Sequence, residues 1–171
     1  GEDNLQTVIG RKLRSMGRTL AVAESCTGGR ISELITQVAG CSDYYKGSVI
    51  SYANGVKTNL LGVPAETIET HGAVSEQTAI AMSTGLLKLL DTDYTIATTG
   101  VAGPGGGTSE NPVGTAWLAV ASRDRVVTKK VKFSSNRVTN IERFSSNALN
   151  LLRLEIEFSG AGCELRGAGK L

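Results

Sequence analysis

Residues 19–38 constrain the fold more than any other stretch of this chain. Thr19-Leu20-Ala21-Val22-Ala23 is short and apolar, as a buried strand would be. Arg30 to Val38 then carries Ile31, Leu34, Ile35 and Val38 at helical spacing. Between the two lies the polar stretch Ala23-Glu24-Ser25-Cys26-Thr27-Gly28-Gly29. In α/β proteins the carboxyl end of a strand is where ligands bind. Small residues there let backbone N–H groups approach a ligand, and the start of the next helix favours negative charge. Ser25 and Cys26 are two adjacent candidate nucleophiles. An ordinary strand–loop–helix junction with a hydroxyl N-cap has the same appearance, so this stretch alone does not decide function.

The rest of the chain extends the pattern. Leu5, Val8, Ile9 and Leu13 form one apolar stripe, which predicts a helix over 4–16 with Gly17 as its stop. Tyr44 to Ala53 reads as a strand, Asn54-Gly55 as a turn, and Val56 to Leu61 as a short helix. Pro64 to Glu69 suits a short helix with proline at its first position. Ser75 is a good N-cap for a helix from Glu76 to Leu90. Asp93 to Thr99 is a further strand, running into the Gly-rich loop Gly100 to Thr108. Val113 to Ser122 and Arg125 to Phe133 predict a hairpin, and Thr139 to Phe158 a closing helix. Strand–helix alternation followed by a late hairpin argues for an α/β fold: a three-layer α/β/α sandwich with a mixed, partly parallel sheet. One domain over 1–159 is expected, with the Gly-rich stretch 160–171 as a flexible tail.

Composition narrows the functional classes. A net charge of +2 over 171 residues argues against a nucleic-acid footprint, and Lys129-Lys130-Val131-Lys132 reads as the solvent face of a strand. No apolar run is long enough to span a membrane, and no basic start precedes an apolar block. The three cysteines have no C-x-x-C spacing, which argues against a zinc site or disulfide framework and predicts a cytoplasmic protein. His71 is the single histidine, and it precedes a helix as a structural residue would.

Three junctions each follow a predicted strand: 23–29, 52–57 and 98–108. Parallel neighbouring strands would bring all three to one edge of the sheet. A serine needs a base, and with one histidine the natural alternative is Lys57, because a desolvated lysine loses its charge near neutral pH. Tyr52 shares its segment. The third junction offers Thr98, Thr99 and the amides of a glycine loop that could face an oxyanion or a phosphate. That loop is not a P-loop, because no G-K-[ST] follows it, nor does it have the dinucleotide fingerprint. Cys26 at a helix start remains open as an alternative nucleophile, and so does a non-catalytic nucleotide-binding role.

Several blocks, taken in order, carry a resemblance. They are Ala23-Glu24-Ser25-Cys26-Thr27-Gly28-Gly29, Ser51-Tyr52-Ala53-Asn54 with Lys57, Leu61-Gly62-Val63, His71-Gly72-Ala73-Val74-Ser75-Glu76, Thr99-Gly100-Val101-Ala102-Gly103-Pro104-Gly105-Gly106, and Pro112-Val113-Gly114-Thr115. The chain resembles the CinA C-terminal-domain family over about residues 5–155. The resemblance implies hydrolysis of the carboxamide of nicotinamide mononucleotide to the acid and ammonia, without metal or cofactor. It implies Ser25 as nucleophile, Lys57 as base, Tyr52 and Thr99 as assisting residues, and Arg137 as a site arginine. Cys26, Thr27, Gly28, Gly29, Gly100, Gly103, Gly105, Gly106 and Arg137 are the expected substrate-binding set. The expected partner is a small nucleotide substrate, with neither nucleic acid nor membrane, and a homo-oligomer is expected. One departure stands out: many members read Asn-Glu-Ala-Lys where this chain reads Asn54-Gly55-Val56-Lys57.

Overall fold

The computed structural model describes residues 4–168, with side chains described to residue 160. A five-stranded sheet forms its middle layer, in the order β2-β1-β3-β4-β5. The strands are β1 (Leu20–Glu24), β2 (Tyr45–Ile50), β3 (Tyr94–Gly100), β4 (Thr115–Ser122) and β5 (Val126–Lys132). β1 lies parallel between β2 and β3, while β4 and β5 are antiparallel. The helices are α1 (Leu5–Met16), α2 (Arg30–Thr36), α3 (Asn54–Leu61), α4 (Ala65–His71), α5 (Glu76–Leu90) and α6 (Arg137–Ala168).

The alternation of strand side chains divides the core in two. Leu20 and Val22 of β1 face α1, α2 and α6, where they join Ile9, Leu13, Ile31, Ile35, Phe144 and Leu152. Ala21 and Ala23 face the other way, against Leu61 of α3 and Met82 and Leu86 of α5. Trp117 and Leu118, adjacent in β4, split between these two cores. The expected α/β sandwich with a mixed sheet is therefore what the chain forms. On β5, Lys129, Lys130 and Lys132 are exposed while Val131 is buried, which fits the solvent face expected from the sequence, and the structure places this strand at the edge of the sheet.

Element boundaries differ from expectation at informative places. Asn54-Gly55 is not a turn between elements but the first turn of α3, whose N-cap is Ala53. The Val113-Gly114 end of the predicted fourth strand is a turn, because Gly114 has φ 92° and a side chain there would collide with the Phe133 carbonyl. α6 starts at Arg137 and runs through residue 160 to Ala168, past the predicted end at Phe158. Isolated glycines weaken a helix by about 1 kcal/mol each without having to end it. The last part of the expected tail, residues 169–171, lies outside the described residues.

Glycine decides one packing contact that matters for the site. A Cβ at Gly85 of α5 would lie 1.8 Å from the Leu61 carbonyl oxygen of α3. The missing side chain lets α3 press onto α5, and α3 carries Lys57.

Candidate active site

β1, β2 and β3 are parallel, so their carboxyl ends share one edge of the sheet, and the three predicted junctions meet there. Strand alternation continues past β1. Glu24 follows Leu20 and Val22 toward α2, whereas Ser25 follows Ala21 and Ala23 toward α3. On that side the Ser25 Oγ lies 3.0 Å from the Lys57 Nζ.

Lys57 is only 1% exposed. Its Nζ has two further partners, the carbonyl oxygens of Ser51 at 2.8 Å and Tyr52 at 3.1 Å. No carboxylate pairs with it among the described residues. Burial without a counter-charge pushes the Lys57 amine below the ordinary lysine range. A neutral amine has two N–H groups and one lone pair. The two carbonyls accept the two N–H groups, which leaves the lone pair for the Ser25 hydroxyl proton.

Cys26 has a different environment. Strand parity carries it toward the α1, α2 and α6 core, where it is 7% exposed. Burial pushes its thiol up to about 12, against the opposing pull of the neighbouring Lys57. A thiol held there is not a thiolate at neutral pH. Between the two adjacent candidates, the hydroxyl of Ser25 is the one that meets a base.

A cavity of about 320 Å³ opens over this pair. Ser25, Cys26, Tyr52, Lys57, Thr99, Gly100, Gly103, Gly105, Gly106 and Arg137 all line it, so the second and third junctions contribute as expected. Thr27, Gly28 and Gly29 do not form its wall. The Thr27 hydroxyl is bound to that of Thr98 at 2.8 Å, and Gly28 and Gly29 have φ of 60° and 107°, which the turn into α2 requires. The Thr99 hydroxyl donates to the Ala73 carbonyl at 2.7 Å, joining β3 to the segment before α5. His71 ends α4 and lines a separate depression beside Trp117. A larger groove of about 720 Å³ lies between α3 and α5, but it holds no serine or cysteine paired with a base.

The cavity mouth is cationic. Arg137 is the first residue of α6, where a positive charge opposes the helix dipole. Its guanidinium donates to the Gly103 carbonyl at 2.7 Å and to the exposed Tyr52 hydroxyl at 3.1 Å, so it crosses from the glycine loop to the second junction. Among the described residues, no Asp or Glu lines the cavity, and Lys57 and Arg137 are its only ionisable basic groups, which suits an anionic ligand.

Three positions escaped the sequence reading. Asn54 lines the cavity three residues before Lys57, on the same face of α3; the i, i+3 spacing was a usable signal once α3 was known to begin there. Asn140 is fully buried, and its amide donates to the carbonyls of Ala102 and Ser135 at 3.0 Å each, tying the glycine loop to α6. Glu24 is fully buried behind Ser25. Gly55 is exposed and outside the cavity, with nothing within 4 Å of a Cβ built there, so the departure at this position falls on the outer surface of α3.

Comparison with known proteins shows the family. The family CinA C-terminal domain matches residues 2–156. A CinA-like protein of Amoebophilus asiaticus is 44% identical over 155 residues, covering 91% of this chain and 37% of that protein. A CinA-like protein of a Synechocystis species is 55% identical over 120 residues, covering 70% of this chain and 29% of that protein. The chain thus spans little more than a third of the curated relatives it matches. Among solved structures, a competence-damaged protein (CinA) superfamily protein from Klebsiella pneumoniae superposes with a TM-score of 0.87 at 34% identity, covering 90% of this chain and 96% of that one. A competence/damage inducible protein from Agrobacterium tumefaciens gives 0.84 at 34% identity, covering 91% and 97%. No helix among the described residues is long and apolar enough to cross a membrane. The chain belongs to the CinA C-terminal-domain family.

Proposed function

We propose that this domain is a serine–lysine amidohydrolase that converts nicotinamide mononucleotide to nicotinic acid mononucleotide and ammonia. One observation carries the reading: a buried lysine without a counter-ion has its amine 3.0 Å from a serine hydroxyl at the floor of a cavity. A lysine kept only for packing gains nothing from that arrangement, since burying an unpaired ammonium is strongly unfavourable.

The chemistry follows from the contacts. Lys57 accepts the Ser25 proton as Oγ attacks the carboxamide carbon, giving a tetrahedral intermediate. The ammonium so formed is held by the Ser51 and Tyr52 carbonyls until it delivers the proton to the departing nitrogen. Ammonia leaves, and the acyl group remains on Ser25. Water, deprotonated by the same amine, then releases the acid. Backbone amides of the Ser25 or Gly100 loop are suited to the oxyanion, where one donor is typically worth about 3 kcal/mol. The cationic Arg137, beside the loop glycines at the mouth, suits the phosphate of the mononucleotide. The steps use no metal or cofactor.

Ammonia release from nicotinamide mononucleotide tests this directly. Wild type should turn over, and Ser25→Ala should lose turnover while keeping its fold. Tight binding of the mononucleotide by wild type with no ammonia formed would overturn the reading in favour of a nucleotide-binding domain.

A further inference from the structure

The buried Glu24 carboxylate has no role in the steps above. It is 0% exposed and has no cationic partner among the described residues. Its oxygens instead accept the Ile31 and Ser32 amides, each at 3.0 Å, and the Ser32 hydroxyl at 2.5 Å. The Ser32 Oγ also lies 2.7 Å from the Ser48 Oγ, which in turn meets the Tyr45 hydroxyl. The Ser32 hydroxyl has one proton, and it is donated to Glu24. Ser48 then donates to Ser32, and Tyr45 to Ser48. The hydrogen bonds run one way, from edge strand β2 through α2 to the end of β1.

The main chain of Glu24 connects to both reacting groups. Its own peptide leads into Ser25 on the opposite face of the strand. Its carbonyl accepts the Ser51 amide at 2.8 Å, and the Ser51 carbonyl accepts Lys57 at 2.8 Å. One residue therefore fixes the backbone from which the serine projects and the backbone on which the lysine rests.

We infer that Glu24, locked by the Ser32–Ser48–Tyr45 hydroxyl chain, is the positioning residue that holds Ser25 and Lys57 at reacting distance. This rests on the serine–lysine reading. The carboxylate touches no reacting atom. Its effect is on alignment, where a small displacement between nucleophile and base is reflected in the rate rather than in substrate affinity.

The test compares the wild-type 171-residue chain with Glu24→Gln, Ser32→Ala and Ser32→Thr, in ammonia release and in the rate at which a fluorophosphonate labels Ser25. Glutamine keeps the shape but replaces one accepting oxygen by an NH2 that faces a backbone N–H donor, Ile31 or Ser32 according to the rotamer. Folded Glu24→Gln should lose about tenfold or more in kcat, with KM within about twofold and labelling slowed in parallel. Ser32→Ala should fall in the same direction by less, and Ser32→Thr, which keeps the hydroxyl, should restore the rate. A folded Glu24→Gln with unchanged kcat and labelling overturns the inference, as does a loss carried wholly by KM. Should Glu24→Gln fail to fold, the Ser32→Ala and Ser32→Thr pair decides by the same criteria. Labelling of wild-type Ser25 without ammonia release defeats the deamidation reading alone, and the labelling rates still decide the role of Glu24. A wild-type Ser25 that does not label defeats both.

Discussion

Replacing Lys57 by methionine separates its chemistry from its contribution to the fold. The side chain is buried and of similar length, so methionine fills the space and deletes only the amine. Two carbonyls then lose their donor. Ser51 is fully buried and its carbonyl bears the usual cost of an unsatisfied acceptor, about 1–3 kcal/mol, whereas the carbonyl of exposed Tyr52 has water within reach. A net stability loss of about 1–3 kcal/mol is expected above the unfolded-state lysine pKa, where the amine is neutral in both states. The pH dependence carries the sharper test. Burial lowers the folded-state pKa of Lys57, so between that value and the unfolded one the unfolded chain binds the extra proton. Wild-type stability therefore falls relative to Lys57→Met as pH drops from about 10.4 toward the folded pKa, then levels off below it. Urea unfolding of both proteins across that range gives the difference curve. Turnover should fall about a thousandfold or more in the variant, and in wild type it should decline as pH falls through the same folded pKa. A flat difference curve, together with wild-type activity indifferent to acidification, would show that Lys57 stays charged and would remove the base from the mechanism.

Cys26→Ala should leave ammonia release within about tenfold of wild type and lose about 1 kcal/mol by chemical unfolding, as for a small side chain removed from a core; abolished turnover would return the nucleophile to sulfur. Arg137→Met removes the donor to Gly103 and Tyr52 and the charge at the cavity mouth, so KM for the mononucleotide should rise about tenfold or more while kcat changes less. Arg137→Lys should recover little of that affinity, because an ammonium cannot span both acceptors as the guanidinium does. Gly85→Ala would stabilise an ordinary helix interior by about 1 kcal/mol, yet here its methyl collides with the Leu61 carbonyl. A fall in Tm with reduced kcat is expected as α3 is pushed away, and a rise in Tm would refute the close α3–α5 contact.

Much of the architecture was legible because burial imposes periods on the sequence. The stripe of α1, the apolar run of β1 and the Trp117/Leu118 alternation each follow from the faces they cover. The convergence of the three junctions was also legible, since parallel neighbours must place their carboxyl ends together. Boundaries were less so. Asn54-Gly55 has the composition of a turn but opens α3, where helical hydrogen bonds and packing outweigh a local preference. The roles of Thr27, Gly28 and Gly29 depend on backbone angles and on a hydroxyl partner 71 residues away, and neither is written in the loop itself.

Glu24 shows most clearly where sequence reasoning stops. A glutamate beside two nucleophiles and a glycine pair reads as a solvent-facing or ligand-facing charge, because carboxylates are seldom fully buried. Only the parity of β1 turns it inward, and only the position of α2 supplies the donors that its oxygens accept in place of a cation. The same parity turns Ser25 outward to Lys57. Consecutive residues on opposite faces of one strand thus divide the work: the acidic side chain is used up in fixing the backbone, and the hydroxyl stays free for the amine. An acidic residue one place later would face Lys57 itself, pair with it and hold it charged, removing the lone pair on which the proposed chemistry depends. The order Glu24-Ser25 is therefore a physical requirement of the site, and exchanging the two residues should abolish turnover even though composition, charge and cavity volume would barely change.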